Sequence, residues 1–255
     1  MIETPFKLGW IPDLPDIRDI PFKAAAAPGV VYPPSKRLVW VPGALEQGPL
    51  GSCVANAVAL AVQYARIKQR KLHAWQPARL PVYYGAREIR GWEAIDSGCH
   101  IRDAIKVVAS QGTAKEEDYP YVISKFAEKP PPSYYEQALR DQVLLYRRID
   151  NTNLDDIRAA LNEDYPIVFG FSLYNDFNWS GVNDGSITMP GGGGASYVVG
   201  GHACLIAAYD DLQGRCEFVN SWGKKWGKLG RGSIPYNYLT NPGLASDFWQ
   251  ISLVE

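Results

Sequence analysis

From Cys53 to Val62 nearly every position is small and apolar (CVANAVALAV). No polar face recurs at the helical period, which predicts a helix buried on every side. Two further helical stretches follow, PVYYGAREIRGW and HIRDAIKVVASQG, the second closed at Gly112, where a left-handed residue ends a helix. SYYE at 133–136 reads as a capping box, with Ser133 placed to cap and Glu136 to reach back. After about Asp141 the pattern changes to strands: QVLLYRRI, YPIVFGFSL, ACLIAAYD, RCEFVNSW and DFWQISLV. One short helix, NLDDIRAALN, interrupts them and is capped by Asn153. Residues 1–36 are proline-rich and show neither period, so they should form an extended arm. PGGGGASYVVGG is a flexible connection and no phosphate cradle, since it lacks the GxxxxGK[ST] pattern and a following helix. Helices followed by strands predict an α+β fold, with a helical lobe over about 37–140 and an antiparallel β lobe over about 141–255.

Composition narrows the function class. The chain has 255 residues, 46% hydrophobic and 21% charged, which is enough apolar material for a globular core. A net charge of −1 offers no electrostatic case for nucleic acid or an anionic membrane as partner. No apolar run is long enough to cross a bilayer. The start, MIETPFKLGW, lacks the pattern of a secretory signal, so the expected compartment is the cytoplasm, or an exported form without a visible leader. Four cysteines without a CxxC pair make neither a disulfide framework nor a zinc knuckle.

The candidate chemistry starts at Cys53. A thiol in the first turn of a helix feels the positive end of the macrodipole, which favours thiolate; the bland alternative is a small core hydrophobe. A nucleophilic thiol needs an imidazole as ion partner and then as acid. Of three histidines, His73 lies in the basic stretch KQRKLHAWQ and reads as solvated, and His100 precedes a helix. His202 opens the strand HACLIAAYD out of a glycine-rich loop, at the place a cleft edge would occupy. Asn220 ends a strand in FVNSWGKKWGKLGRGSIPY, where a neutral amide oxygen would hold the imidazole tautomer. Trp222 would keep water off that bond. Gln47 offers an N–H to a developing oxyanion, with the Cys53 backbone N–H as second donor. Cys204 shares a strand face with His202, but Cys53, His202 and Cys204 lack metal-ligand spacing, so neither metal nor cofactor is expected. Cys216 reads as core.

These stretches resemble the papain-like cysteine proteases, in the order Gln, Cys, His, Asn. QGPLGSC is similar to the family's QGxCGSC motif, GGHACLIAAYD to its histidine strand, and VNSWGKKWGKLGRGSI to its NSWGxxWGxxG motif. The resemblance spans roughly 37–255, and the opening LGWIPDLPDIRDIPF resembles the N-terminal segment of the bacterial and archaeal branch. It implies a helical left lobe, a β-barrel right lobe and a cleft between them. It also implies Cys53 as nucleophile, His202 as general base and acid, Asn220 as orienting residue and Gln47 as oxyanion donor. Leu50 stands where secreted members have a disulfide cysteine, and Val54 replaces the tryptophan that usually follows the nucleophile. DSGCHIRDA takes the place of the family's substrate wall, which puts Gly98, Cys99 and Ile101 near the substrate. Ala203 and Phe169 are candidates for the S2 pocket.

The expected function is therefore a cysteine-type peptidase acting on peptides or proteins, an endopeptidase more than an exopeptidase. A thiol-dependent acyl transferase or ligase, or an occluded binding protein on the same fold, are the alternatives. In that family N-terminal segments commonly act as propeptides lying across the active site in the direction opposite to substrate. Residues 1–36 are expected to do so here, with Trp10, Ile11, Phe22 and Val31 as anchors and KAAAAPG (23–29) as a weakly held stretch; a permanent strap is the alternative. The protein would then be a zymogen.

Overall fold

The computed structural model describes residues 6–23, 30–69, 75–177, 184–191 and 195–255. His73 and most of KAAAAPG lie outside the described residues.

The architecture is α+β, as the order of patterns predicts. Strand β1 (Ser35–Arg37) leads to α1 (Cys53–Lys68), α2 (Arg79–Glu88), α3 (Ile101–Ser110) and α4 (Pro132–Ala138). Then come β2 (Val143–Ile149), α5 (Leu154–Asn162), β3 (Ile167–Tyr174), β4 (Val198–Asp210), β5 (Arg215–Val219), β6 (Arg231–Pro235), α6 (Tyr236–Leu239) and β7 (Ala245–Val254). The antiparallel sheet runs β2-β7-β3-β4-β5-β6, with β1 added on β4. Among the described residues its ladder is open, with β2 and β6 at the ends, so the expected barrel is not closed by hydrogen bonds there.

Helix α1 earns its all-apolar sequence by lying between α2 and α3 on one side and β4 and β7 on the other. Strand β4 is apolar on both faces for the same reason. Ala203, Leu205 and Ala207 pack toward α1, and Cys204 and Ile206 into the second core, within the β lobe. Cys216 is part of that second core, as predicted.

Two terminus signals hold and one does not. Asn153 caps α5, its side chain accepting from the Asp155 N–H at 3.1 Å. Gly112 follows α3 with φ +73. The box at 133–136 is absent: α4 starts at Pro132 after Pro131, and no side chain caps it. Proline already supplies the φ a first turn needs and has no N–H to satisfy. A Cβ at Gly112 would fall 1.8 Å from the Ala138 carbonyl oxygen. Gly112→Ala should therefore lower unfolding stability by about 1–3 kcal/mol, from the left-handed φ and the collision together. Urea titration checks this, and an unchanged midpoint would refute it.

Candidate active site

Cys53 is the first residue of α1, reached through the tight Gly48–Ser52 loop. Several side chains hold that loop. Ser52 Oγ lies 2.5 Å from Tyr121 Oη and accepts from Asn56 Nδ2 at 3.1 Å. The Gly51 N–H donates to Asp96 Oδ1 at 3.0 Å. The opposing wall, residues 93–99, is tied down by the fully buried Arg87. Its guanidinium donates to the carbonyls of Glu93 (2.8 Å) and Ile95 (2.6 Å).

His202 lies on β4 opposite Phe171 of β3. Its Nε2 is 2.7 Å from Asn220 Oδ1, and the Trp222 ring stacks on the imidazole with centroids 4.3 Å apart. The predicted pair and its indole cover are thus brought together. Asn220 Oδ1 also accepts from the Ser221 N–H at 2.7 Å and from Cys204 Sγ at 3.6 Å, so the amide is held by three groups. Among the described residues His202 Nδ1 is buried with no hydrogen-bond partner. With Nε2 on Asn220, Nδ1 is the nitrogen left for a thiol.

Gln47 is clamped by a residue that sequence reasoning overlooked. Ser221 Oγ donates to Gln47 Oε1 at 2.6 Å, and the Gln47 N–H to the Ser221 carbonyl at 2.8 Å. This fixes which end of the amide points outward. Nε2 donates at 2.8 Å to both the Leu50 carbonyl and the Lys7 carbonyl. The only available signal for Ser221 was its place beside Asn220 in the tryptophan motif.

The arm fills the cleft. Gly9 and Trp10 N–H groups both donate to the Gly201 carbonyl at 3.0 Å, on the β-lobe wall. On the other wall the Cys99 N–H donates to the Gly9 carbonyl (2.9 Å) and the Ile11 N–H to the Cys99 carbonyl (3.2 Å). Phe6 stacks on the outer side of Trp222 at 4.5 Å, and Lys7 Nζ meets Asp96 at 2.5 Å. Further along, residues 20–22 pair with the β2 edge at Arg148, and Phe22 is buried. Trp10 and Phe22 are anchors, as expected. Val31 is 92% exposed and is not one.

This cover reverses the electrostatic expectation for Cys53. Burial pushes its thiol up to about 11, although backbone groups of Ala203, Gly9, Val54 and Cys53 itself act the other way. Burial likewise pushes His202 down to about 4, only partly opposed by the Asn220 bond. The helix end is still there, but desolvation outweighs it.

The other candidates separate. Gly98 and Cys99 line the cleft, where a Cβ at Gly98 would fall 2.3 Å from the Gly9 carbonyl oxygen, while Ala203 brings its backbone to Cys53 and buries its side chain in the core around α1. Ile101 does not line it: it is fully buried in the core beside α1. Phe169 does not either. It stacks on Phe171 at 5.2 Å inside the β lobe, because it shares a face with Cys204 while its neighbour Gly170 pairs with Ala203 on the cleft side.

Comparison with known proteins agrees with this arrangement. The family model for papain family cysteine proteases matches residues 37–247. An uncharacterized peptidase C1-like protein of Acanthamoeba polyphaga mimivirus is 38% identical over 232 residues, covering 86% of this chain and 73% of that protein. Xylellain, a cysteine protease from Xylella fastidiosa, matches with a TM-score of 0.91 at 34% identity, over 99% of this chain and 98% of that one. Digestive procathepsin L 3 of the Tenebrio molitor larval midgut shares the fold, with a TM-score of 0.70 at 18% identity over 92% and 74% of the two chains. The motif order, the His–Asn pair beneath its indole and the two-walled cleft at the end of α1 are thus features of a known group, and the chain belongs to the papain family of cysteine proteases.

Proposed function

We propose that the protein is a cysteine endopeptidase kept closed by its own residues 6–13. The observation that carries this reading is the Lys7 carbonyl bound to Gln47 Nε2 at 2.8 Å, two residues before Gly9 reaches Cys53. A peptide carbonyl there sits on the donor assigned to the oxyanion.

With the arm displaced, water and substrate dipoles replace the desolvated state. The Cys53 proton passes to His202 Nδ1, and the helix end supports the thiolate. The thiolate attacks a peptide carbonyl, forming the C–S bond, and the oxyanion is held by Gln47 Nε2 and the Cys53 N–H. His202 gives its proton to the leaving amine as the C–N bond breaks. It then takes a proton from water, which attacks the thioester and releases the acid. Asn220 keeps Nε2–H aligned throughout, and Ser221 keeps the Gln47 amide from flipping. The arm passes Cys53 on both sides, from Phe6 to Asp13. A cleft that accepts chain in both directions supports internal cleavage over removal of end residues.

Hydrolysis of an unbiased peptide library by the full-length chain, before and after limited proteolysis, tests the reading. Activity should rise on nicking and vanish in Cys53→Ala; equal products from Cys53→Ala would refute it. Gln47→Ala should lower kcat by roughly 10–1,000-fold with little change in KM, because the donor acts on charge that develops in the transition state. Its bond to Lys7 also holds the arm, so the comparison belongs in a background with a weakened arm. Unchanged kcat there would remove Gln47 from the site. Asn220→Ala should cost less, since it orients the base without carrying charge.

A further inference from the structure

We infer that Asp96 is a positioning residue for the oxyanion donor: through the Leu50–Gly51 peptide group it fixes Gln47 Nε2 at the place where charge develops. This rests on the peptidase reading above and adds to it a residue that acts on the donor from behind.

One peptide group links the two side chains. The Leu50 carbonyl accepts from Gln47 Nε2 at 2.8 Å and from the Ser52 N–H at 2.8 Å. At the other end of the same group, the Gly51 N–H donates to Asp96 Oδ1 at 3.0 Å, with Oδ2 at 3.3 Å. A side-chain amide nitrogen carries two hydrogens. With one of them on Leu50, the other is aimed into the cleft, where the Lys7 carbonyl meets it at 2.8 Å. Ser221 thus fixes the Gln47 amide at Oε1, and the Leu50 carbonyl fixes it at Nε2. Turning the Leu50–Gly51 peptide over would carry that carbonyl away and release the donor.

The loop has little of its own to prevent such a turn. Gly51 lacks a Cβ, which leaves its backbone unusually free. Leu50 has no sulfur to tie the loop down covalently, and all four cysteines are free. Among the described residues Asp96 is the acceptor of the Gly51 N–H, so it alone holds that end of the peptide. A Cβ at Gly51 would fall 3.2 Å from Asp96 Oδ1 and 3.5 Å from the Gly98 nitrogen. Glycine there lets the loop close onto the wall that carries Asp96. A peptide group bonded at both ends is also polarised, which strengthens each bond.

Asp96 is itself held in place. Its Oδ1 also accepts from the Tyr83 hydroxyl, which accepts in turn from the Gly98 N–H at 3.0 Å. The buried Arg87 guanidinium fixes the carbonyls of Glu93 and Ile95 just before it. In the closed chain Lys7 occupies both ends of the link, its Nζ 2.5 Å from Asp96 Oδ2 and its carbonyl on Gln47. When the arm leaves, Oδ2 meets water, while Oδ1 keeps Gly51 and Tyr83. No member of the link lies in the arm, so the link outlasts opening.

The test is a set of variants in the full-length Lys7→Ala chain, where Asp96 has no arm partner to lose. kcat is expressed per folded molecule, counted by near-UV circular dichroism. A competing arm enters KM and leaves kcat alone, which keeps the two effects apart. Asp96→Ala should lower kcat roughly 10–100-fold with KM within about threefold. Asp96→Asn keeps Oδ1 as an acceptor and should restore kcat to within about threefold of Lys7→Ala. In a chain that also carries Gln47→Ala, Asp96→Ala should cost less than about threefold, because the group it positions is gone. A merely structural role would cost the same with or without Gln47. If Asp96→Ala does not fold, Asp96→Ser replaces it, its hydroxyl one bond short of the Gly51 N–H. An unchanged kcat, a full further loss on top of Gln47→Ala, or Asp96→Asn as slow as Asp96→Ala overturns the proposal and leaves the peptidase reading standing. If the Lys7→Ala chain cleaves nothing, the peptidase reading falls, and Asp96 is judged on amide exchange over residues 48–53. Exchange at least about tenfold faster in Asp96→Ala than in Asp96→Asn upholds the link, and equal exchange overturns it too.

Discussion

Cys53 in a full-length Gly9→Ala chain should react with a small alkylating agent at least about 100-fold faster than in the unaltered chain, equivalent to roughly 3 kcal/mol of lost arm docking. The reason is steric and local. A Cβ on Gly9 would fall 1.9 Å from the Gly51 carbonyl oxygen, 2.5 Å from its carbon and 2.8 Å from its Cα. These are backbone atoms of the loop that leads into Cys53, so no side-chain rotation relieves the clash. The arm must rise where it covers the sulfur, while Asp13, Asp19 and Phe22 can keep their contacts farther along. Cys99, Cys204 and Cys216 are also buried, and burial raises each of their thiols. They should stay slow and serve as internal controls in peptide mapping. Unchanged Cys53 labelling in Gly9→Ala, or equal acceleration at all four thiols, would count against an arm that closes the cleft.

Arm docking should also take up a proton, so the arm should loosen as pH rises. Where the arm crosses α3 and β7, three carboxylates (Asp13, Asp19, Asp247) face two guanidiniums (Arg102, Arg148). One negative charge is left over in a buried place. The other groups facing it are His100, whose Nδ1 is 3.8 Å from Asp13 Oδ1, and Asp103, already paired with Arg90 at 2.6 Å. Asp16 is occupied by Arg18 within the arm itself. Burial, reinforced by Asp247, raises Asp13 to about 7; burial also raises Asp247. In the released arm Asp13 returns to an ordinary value of about 4. A carboxyl raised on docking gives its full contribution below the released value and loses it as pH climbs through the docked one. Docking should thus weaken by up to about tenfold per pH unit between about pH 4 and 7 and level off above. Asp13→Asn, uncharged at every pH, should remove the slope. The ratio of Cys53 alkylation rates in the two proteins cancels the thiol's own ionisation. A ratio that is flat across this range, or that slopes the other way, would dismiss the linkage.

What could be read from the chain depended on how local each feature was. Helix α1 was legible because burial on all sides leaves a continuous apolar run, and the Asn153 cap and Gly112 stop are decided within a turn of backbone. Cys53, His202, Asn220 and Gln47 could be singled out because each stands beside a glycine or tryptophan motif. Strand β6 escaped because RGSIP carries neither a long apolar run nor alternation. Phe169 was misplaced by one position of strand parity. Strand β3 is buried on both faces, so nothing in VFGFS says which side meets the cleft. The lowered thiol was expected from the helix end and a pairing with His202, since the arm residue at the sulfur, Gly9, lies 44 residues upstream. Asp247 was invisible for a related reason: its partners Trp10 and Asp13 are 237 and 234 residues away.

The arm is bonded at the cleft through residues 6–13 and at the β2 edge through residues 20–22, and it rejoins the body at β1. If the arm inhibits as proposed, then while the chain is continuous it is present at the millimolar-scale effective concentration that intramolecular attachment sets, regardless of how much protein is in solution. A single cut between residues 23 and 30 would alter none of those contacts, yet it would turn a first-order equilibrium into a second-order one. Closure would then depend on total concentration: a nicked sample kept concentrated stays shut, and the same sample diluted opens. Activation would be a matter of dispersal as much as of cleavage, greatest where each molecule is alone.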